Sequence, residues 1–131
     1  ETWEPNVTAN AATPKWSDLV SADTPRPTPW DKKAFEDYQR GIQSRRRAIR
    51  AAGKPEAEME ALFREELTGT TKLLSAGANA NKIGSFEGAN YEASGYYRSQ
   101  ADCIMFTRHL EGGFCAACRR AIQSVIDLYA P

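Results

Sequence analysis

Three cysteines near the C-terminal end of the chain are the residues best suited to carry chemistry. Cys115 and Cys118 form a Cys-x-x-Cys pair, and Cys103 begins a Cys-Ile-Met tripeptide. The one histidine of the chain, His109, lies between them in the sequence. Zinc in structural sites is bound tetrahedrally by four such thiolate and imidazole ligands. These four side chains therefore form a candidate structural metal site.

Two other interpretations of the cysteines stay open. A helix N-terminus stabilises thiolate, so Cys115 and Cys118 would suit a redox pair, although the surrounding sequence has no βαβ pattern. A disulfide from Cys103 to either of them would close a loop and stabilise the fold by roughly 3 kcal/mol. That disulfide would leave one thiol over, and His109 would then be an ordinary exposed loop residue.

The elements that must position these residues begin with a proline-rich arm. The first thirty residues carry five of the seven prolines and all three tryptophans. Proline at that density blocks a continuous helix, because it fixes φ and removes a hydrogen-bond donor. We expect residues 1–28 to form an extended arm that its indole rings pin to the rest of the protein.

Residues 29–68 have the pattern of a helical hairpin. Thr28 as an N-cap, followed by proline in the first turn, predicts a helix start. Apolar residues at helical spacing then predict antiparallel helices over residues 29–52 and 55–68, with a Gly-Lys-Pro turn between them. The first helix is basic and the second is acidic, so we expect the two helices to complement each other in charge.

Charge and hydropathy exclude several classes of partner. Lysine plus arginine and aspartate plus glutamate both total 17, so the chain has a formal net charge of +0 and no field that would attract nucleic acid. The run Arg45-Arg46-Arg47 is expected to face the acidic second helix, where each exposed pair contributes roughly 0–1 kcal/mol. No apolar run approaches the roughly twenty residues that a membrane span needs. We expect neither nucleic-acid binding nor membrane insertion.

Residues 69–131 form the third segment, which holds the cysteines. Its first half is rich in glycine and tyrosine, a composition that predicts loops and short strands and is typical of binding surfaces. A helix over about residues 115–129 is predicted at the end of the chain. One face of this helix is expected to lie in the core and consists of Cys115, Cys118, Ile122, Val125, Ile126 and Tyr129. The fold class is therefore mainly α (α+β), with a helical hairpin, short strands and a C-terminal helix.

Five motifs, in order along the chain, resemble the C-terminal part of the IgA-peptidase-like zinc metallopeptidases. They are Lys82–Tyr91, Gly95–Arg98, Cys103–Met105, Phe114–Arg119 and Ile126–Tyr129. The segments Glu4–Thr8 and Lys15-Trp16 also resemble the region that follows the zinc-binding helix of this family. The resemblance runs from one end of the chain to the other and is weakest over the helical hairpin.

The resemblance implies a zincin-type endopeptidase, in which a His-Glu-x-x-His helix holds zinc and its glutamate polarises a water molecule. This chain contains no His-Glu-x-x-His. The resemblance therefore implies that residues 1–131 are a single C-terminal subdomain of a bacterial peptidase, inactive alone, whose zinc ligands precede Glu1. The implied partners are the N-terminal catalytic half and a protein or peptide substrate, and the implied location is secreted, periplasmic or cell-surface.

Site residues follow from the resemblance position by position. Met105 would be the methionine of the Met-turn, which lies beneath the zinc as an apolar floor without binding it. The residues expected at the substrate cleft are Phe86, Glu87, Gly88, Tyr91, Tyr97 and Arg98. Simpler roles stay open, namely a core position for Met105, a salt bridge from Glu87 to Arg98, and packing for the tyrosines. The alternative function is a non-catalytic interaction module stapled by a structural zinc ion or a disulfide.

Overall fold

The computed structural model describes residues 2–108 and 111–130. Within them lie the helices α1 (Lys32–Ala51), α2 (Glu56–Ser75) and α3 (Ala116–Tyr129), and the strands β1 (Val7–Thr8), β2 (Phe86–Ala89) and β3 (Glu92–Arg98). A single 3-10 turn, Ser17–Leu19, interrupts the arm in this part of the chain. The expected α+β class is confirmed.

Helix α1 begins three residues later than the sequence pattern predicted. Its N-cap is Asp31, whose carboxylate accepts a hydrogen bond from the backbone N–H of Ala34 at 3.1 Å. The prediction of Thr28 as the N-cap was wrong, because the Thr28 hydroxyl makes other hydrogen bonds. It accepts one from the backbone N–H of Ser85 at 2.8 Å and donates one to the carbonyl of Pro25 at 2.7 Å. Thr28 therefore fastens the arm to the residues that precede β2.

Helix α2 continues to Ser75, so the predicted end at residue 68 was wrong. Gly69 does not stop the helix; it lies where α1 approaches α2 closely. A side chain at this position would overlap the Tyr38 ring. The Tyr38 hydroxyl donates a hydrogen bond across the hairpin to the carbonyl of Glu65 at 3.1 Å. Glycine is used here for close helix packing.

Alanine substitutions at two helical glycines are expected to have opposite effects. Gly41→Ala in α1 meets open space and should stabilise the protein by about 0.5–1 kcal/mol, because alanine lowers the entropy of the unfolded chain. Gly69→Ala should destabilise it, because displacing the Tyr38 ring costs about 1–3 kcal/mol of overpacking. Urea unfolding followed by far-UV circular dichroism measures both. An equal gain in stability for the two variants would contradict the close packing at Gly69.

The two helices of the hairpin are joined by charge as well as by apolar contact. Arg45 on α1 donates two hydrogen bonds to the Glu65 carboxylate on α2, at 2.8 and 2.7 Å. The hydrogen bonds from Arg45 lower the pKa of the Glu65 carboxyl below its usual value. Arg46 stacks over the Phe63 ring, 5.2 Å from its centroid. The predicted complementarity of a basic and an acidic helix is confirmed for these residues.

The three strands form an antiparallel sheet in the order β1-β3-β2. Strand β1 comes from the arm and pairs Val7 with Arg98, while β2 pairs Phe86 with the same residue from the other side. A two-residue turn, Asn90-Tyr91, joins β2 to β3, and both of its residues have positive φ, of 53° and 61°. This is the geometry of a type I′ hairpin turn. The sheet thus brings the start of the chain beside the glycine-rich segment.

Two of the three tryptophans pin the arm, as predicted. Trp16 is 0% exposed, and its indole N–H donates to the carbonyl of Gly84 at 2.6 Å. The indole of Trp30 donates to the carbonyl of Glu87 at 3.1 Å. Trp3 is 98% exposed, so the prediction was wrong for this residue. A buried polar N–H needs an acceptor, and both pinning rings find theirs on the backbone near or within β2.

The apolar face of α3 was predicted to be buried in the core. This prediction is confirmed for the first turn of the helix and is wrong for the later turns. Ala117 and Cys118 are buried. The remaining apolar stripe is exposed and consists of Ile122, Val125, Ile126 and Tyr129. The core cluster around Trp16 reaches only the start of the helix, so the rest of α3 extends beyond it.

Among the residues that the structure describes, no helix combines the length and the apolar character that crossing a bilayer requires.

Candidate functional site

The Cys-Ile-Met turn, residues 103–107, is held by hydrogen bonds within itself. The backbone N–H groups of Phe106 and Thr107 both donate to the carbonyl of Cys103, at 2.8 and 3.0 Å. The carboxylate of Asp102 accepts from the N–H of Cys103 at 2.8 Å and from the Thr107 hydroxyl at 2.7 Å. Because these bonds close the turn from both sides, the direction of its side chains is fixed.

This turn presents Met105 to the surface. The Met105 side chain is 63% exposed, whereas Ile104 and Phe106 on either side of it are half-buried. Met105 is therefore not a core methionine in this structure.

Tyr91 lies at the tip of the β2–β3 hairpin and is fully exposed. Its φ of 61° is uncommon for a bulky residue, because the left-handed region brings Cβ close to the backbone carbonyl. Such strained positions cluster at functional sites. Tyr91 and Met105 both line an open cavity of about 930 Å³ and a second of about 300 Å³. The structure thus brings together two residues that were predicted from separate motifs.

The helical hairpin forms a wall of the larger cavity, a role that the sequence analysis did not assign to it. The hairpin residues that line this cavity are Phe35, Gln39, Gln43, Phe63, Glu66, Leu67 and Thr70. Phe35 also packs against Phe106, with ring centroids 5.5 Å apart. The apolar stripes of the hairpin were visible in the sequence, but nothing local distinguishes a stripe that lines a cavity from one that is covered.

Arg98 is buried at the smaller cavity, and all of its side-chain nitrogens donate hydrogen bonds. It is 2% exposed. Its Nε and Nη2 donate to the carbonyl of Ala101 at 3.0 and 2.9 Å, and its Nη1 donates to the carbonyls of Glu87 and Gly88, both at 2.9 Å. Arg98 therefore ties β2 to the segment that leads into the Cys-Ile-Met turn.

Aromatic rings enclose the same guanidinium. Its central carbon lies 3.8 Å from the centroid of Phe106 and 4.3 Å from that of Trp30. Burial lowers the pKa of Arg98 to about 9, against the opposing charge of Asp102. The group stays protonated at neutral pH, and its positive charge is attracted by the two ring faces. Arg98 borders the smaller cavity, but it acts there as a support for Phe106.

The other predicted cleft residues lie in the sheet. Gly88 has a φ of 107°, and a Cβ there would meet Arg98 Nη1 at 3.3 Å. The Glu87 carboxylate pairs with Lys32 at 2.7 Å, and this hydrogen bond lowers the pKa of Glu87. Glu87 is thus paired with α1, and the salt bridge to Arg98 that the sequence left open is not formed.

Phe86 and Tyr97 complete the set of predicted cleft residues. Phe86 is fully buried, and Tyr97 is half-buried opposite Glu87 in the strand register. Tyr91 is the exposed member of the set at the cavities. The place of the set in the cleft stays a prediction.

The three cysteines form one buried cluster behind the Cys-Ile-Met turn. Their Sγ atoms all lie within 4.8 Å of one another, and those of Cys103 and Cys118 are 4.0 Å apart. All three are free thiols in the structure. His109 lies outside the described residues. The disulfide and the metal site both stay predictions, and within the described residues the cluster lacks the βαβ surroundings of a redox pair.

Several donors point at the sulfur atoms. The backbone N–H groups of Cys115 and Met105 donate to Cys103 Sγ, at 3.2 and 3.4 Å. Cys115 Sγ accepts from the N–H of Cys118 at 3.5 Å and from the Ser99 hydroxyl at 3.1 Å. Hydrogen bonds from the neighbouring thiols of Cys103 and Cys118, with a further one from Ser99, lower the pKa of the Cys115 thiol. Cys103 and Cys118 take part in the same hydrogen bonds, and the pKa values of their thiols are raised. In this arrangement the surroundings therefore favour thiolate on Cys115 alone.

The catalytic zinc of a zincin has no fitting ligand set in this chain. The sequence contains no His-Glu-x-x-His. In the part of the chain that the structure describes, the cysteines are the one group of three or more side chains placed to hold a metal ion.

Comparison with known proteins gives one family. The model of the family described as IgA Peptidase M64 matches residues 1–126. The match includes the hairpin tip, the Cys-Ile-Met turn and all three cysteines. A search of curated proteins found no match.

Proposed function

The chain belongs to the IgA peptidase M64 family, and on that premise we propose that it is the C-terminal lobe of a bacterial zinc metalloendopeptidase. The lobe forms a wall of the substrate cleft and supplies the Met-turn. It is inactive alone, because the zinc ligands and the catalytic glutamate belong to the N-terminal half of the parent protein. The substrate is a protein or peptide, and the parent is secreted, periplasmic or on the cell surface.

The observation that carries this proposal is the exposure of Met105 on a turn that is otherwise fixed. Exposing an apolar side chain to water is unfavourable by about 25 cal/mol per Å² of its surface. Hydrogen bonds nevertheless hold this turn with the methionine outward. An apolar floor for a metal site must face the half of the enzyme that binds the metal, and the orientation of Met105 fits that requirement.

The cavities beside Met105 suit an extended peptide. The larger cavity, at about 930 Å³, is within the range of ligand-binding clefts. Its wall combines aromatic rings with the polar groups Gln39, Gln43 and Thr70, which are able to hydrogen-bond a peptide backbone. The strained and exposed Tyr91 at its edge is placed to contact a bound chain with both its ring and its hydroxyl.

The apolar stripe on α3 is the surface that we assign to the N-terminal half. Contiguous exposed apolar side chains at helical spacing mark interaction surfaces. The stripe begins at the turn of the helix that follows Cys118, so it adjoins the buried cluster behind the Cys-Ile-Met turn. A partner seated on α3 would therefore lie beside the Met-turn.

The same stripe would serve the alternative function, a non-catalytic interaction module. The two functions are distinguished by the parent sequence before Glu1. A His-Glu-x-x-His within the preceding hundred or so residues supports the peptidase lobe, and its absence there would exclude that role.

Activity of the parent protein tests the proposal directly. We expect Met105→Glu to lower kcat/KM on casein by at least about tenfold, equivalent to about 1.4 kcal/mol, because a carboxylate would replace the apolar floor. The matched control is Met59→Glu, at the other methionine of the chain, near the start of α2. The control should keep full activity, and both variants should keep the parent's melting temperature. Equal activity of the two variants, or hydrolysis of casein by the 131-residue chain alone, would refute the proposal.

A further inference from the structure

We propose that Cys103, Cys115 and Cys118 hold a structural zinc ion that fastens the Cys-Ile-Met turn to α3. The inference stands apart from the proposed function, because it depends only on side chains of this chain. It concerns the stability of the lobe and needs neither a substrate nor a partner.

The spacing of the sulfur atoms fits a tetrahedral zinc site. Zinc–sulfur bonds of about 2.3 Å in tetrahedral geometry place the sulfur atoms about 3.8 Å apart. The Cys103 and Cys118 sulfurs are 4.0 Å apart, and all three lie within 4.8 Å of one another. Shifts of less than about an ångström would complete the geometry. A disulfide would use two of the sulfurs and leave the third thiol buried.

The donors around the sulfurs fit metal-bound thiolates. Zinc–thiolate groups carry negative charge, and neighbouring N–H and O–H groups stabilise and orient such ligands. Cys103 Sγ accepts two backbone N–H groups, and Cys115 Sγ accepts one N–H group and the Ser99 hydroxyl. The same backbone groups belong to the Cys-Ile-Met turn and to the start of α3. An ion at this point would therefore be held by the two elements that it joins.

Apolar residues cover one side of the cluster, while Cys103 and Cys115 also line a small cavity of about 70 Å³. Trp16 and Val20 pack on the cysteines from the arm, and Ile104 and Phe106 pack on them from the turn. A buried ion pair of metal and thiolate is strong in such surroundings because solvent does not screen it. Because the ligand set exists only in the folded chain, the binding energy of the ion would appear as folding energy.

Thiolate ligands also indicate which metal is bound. Soft sulfur donors in a tetrahedral arrangement select zinc over magnesium or calcium, which prefer oxygen ligands. His109, the fourth ligand predicted from the sequence, lies outside the described residues, so its place at the ion stays a prediction. Three cysteines and one histidine are a common structural zinc set.

Metal analysis of the 131-residue chain tests the site. Purified under reducing conditions without chelator, the chain should contain one zinc ion. After chelation and addition of cobalt(II), it should show thiolate-to-cobalt charge-transfer absorption and the visible bands of tetrahedral cobalt. The cobalt spectrum needs no substitution, so it remains informative even where a cysteine variant fails to fold.

Variants then locate the ion. Cys103→Ser and Cys118→Ser should lose zinc to a competing chelator. Ser99→Ala, which removes a hydrogen bond to Cys115 but no ligand, should retain one zinc ion with about 10–100-fold weaker affinity. His109→Gln tests the fourth ligand predicted from the sequence, and unchanged affinity in this variant would show that the prediction is wrong.

Two results would overturn the site as a whole. One is a zinc-replete chain with no bound metal and three thiols that react with a thiol reagent after unfolding. The other is a mass two hydrogens lower without reductant, which would reveal a disulfide.

Discussion

Trp16→Ala is expected to lower the free energy of unfolding by about 3–5 kcal/mol, the usual cost of removing a large buried aromatic side chain. Trp16 is 0% exposed and packs on Cys103, Cys115 and Cys118. Its removal would leave a cavity beside these residues and would also leave the Gly84 carbonyl without its donor. Urea unfolding followed by far-UV circular dichroism measures the loss.

Trp3→Ala is the matched control for this prediction. Trp3 belongs to the same arm but is 98% exposed, so its replacement should change stability by no more than about 0.5 kcal/mol. A small effect of both substitutions would mean that the arm is not part of the folding core. The difference between the two variants therefore measures how firmly the arm is anchored.

Arg98→Met has the second of the two largest expected effects, a loss of about 3–5 kcal/mol, which is typical when one partner of a buried charged network is removed. Methionine preserves much of the side-chain length but donates no hydrogen bond. The carbonyls of Glu87, Gly88 and Ala101 would lose their Arg98 donors. Each buried polar group left without a partner costs about 1–3 kcal/mol. Urea unfolding at pH 7 checks this value.

Two further variants define what Arg98 contributes. Arg64→Met, at an exposed position on α2, should change stability by no more than about 0.5 kcal/mol. Arg98→Lys should lie between wild type and Arg98→Met, because lysine keeps the charge but lacks the planar fork that reaches several carbonyls. A lysine variant as stable as wild type would show that the charge over the Phe106 and Trp30 rings, and not the hydrogen bonds, is what stabilises this region.

The sequence by itself determined the local elements and the family. Apolar spacing of 3.6 residues predicted the two helices of the hairpin and the last helix, because that period depends only on neighbouring residues. The ordered motifs from Lys82 to Tyr129 indicated the family that the comparison then showed over residues 1–126. The close spacing of the cysteines in the chain also indicated a single cluster, which the structure contains.

Helix boundaries depended on contacts that no local pattern contains. Thr28 has the features of an N-cap, but its hydroxyl accepts a hydrogen bond from the backbone N–H of Ser85, far along the chain. The N-cap of α1 is therefore Asp31. The predicted end of the second helix at residue 68 lies just before Gly69, but the helix continues through this glycine, against which the Tyr38 ring packs closely. In both cases a long-range partner outweighed the local preference.

The tertiary structure alone decided which apolar side chains are covered by other residues, and that the charged side chain of Arg98 is buried. The stripe on α3 looked like core and is exposed, because no described element packs against it beyond Cys118. Arg98 is buried because Trp30 and Phe106 enclose it from two distant segments of the chain, and its predicted place at the cleft stays a prediction. Met105 is exposed because the hydrogen bonds of its turn fix its direction. Burial is a property of the partners that surround a residue, and those partners are brought together only by folding.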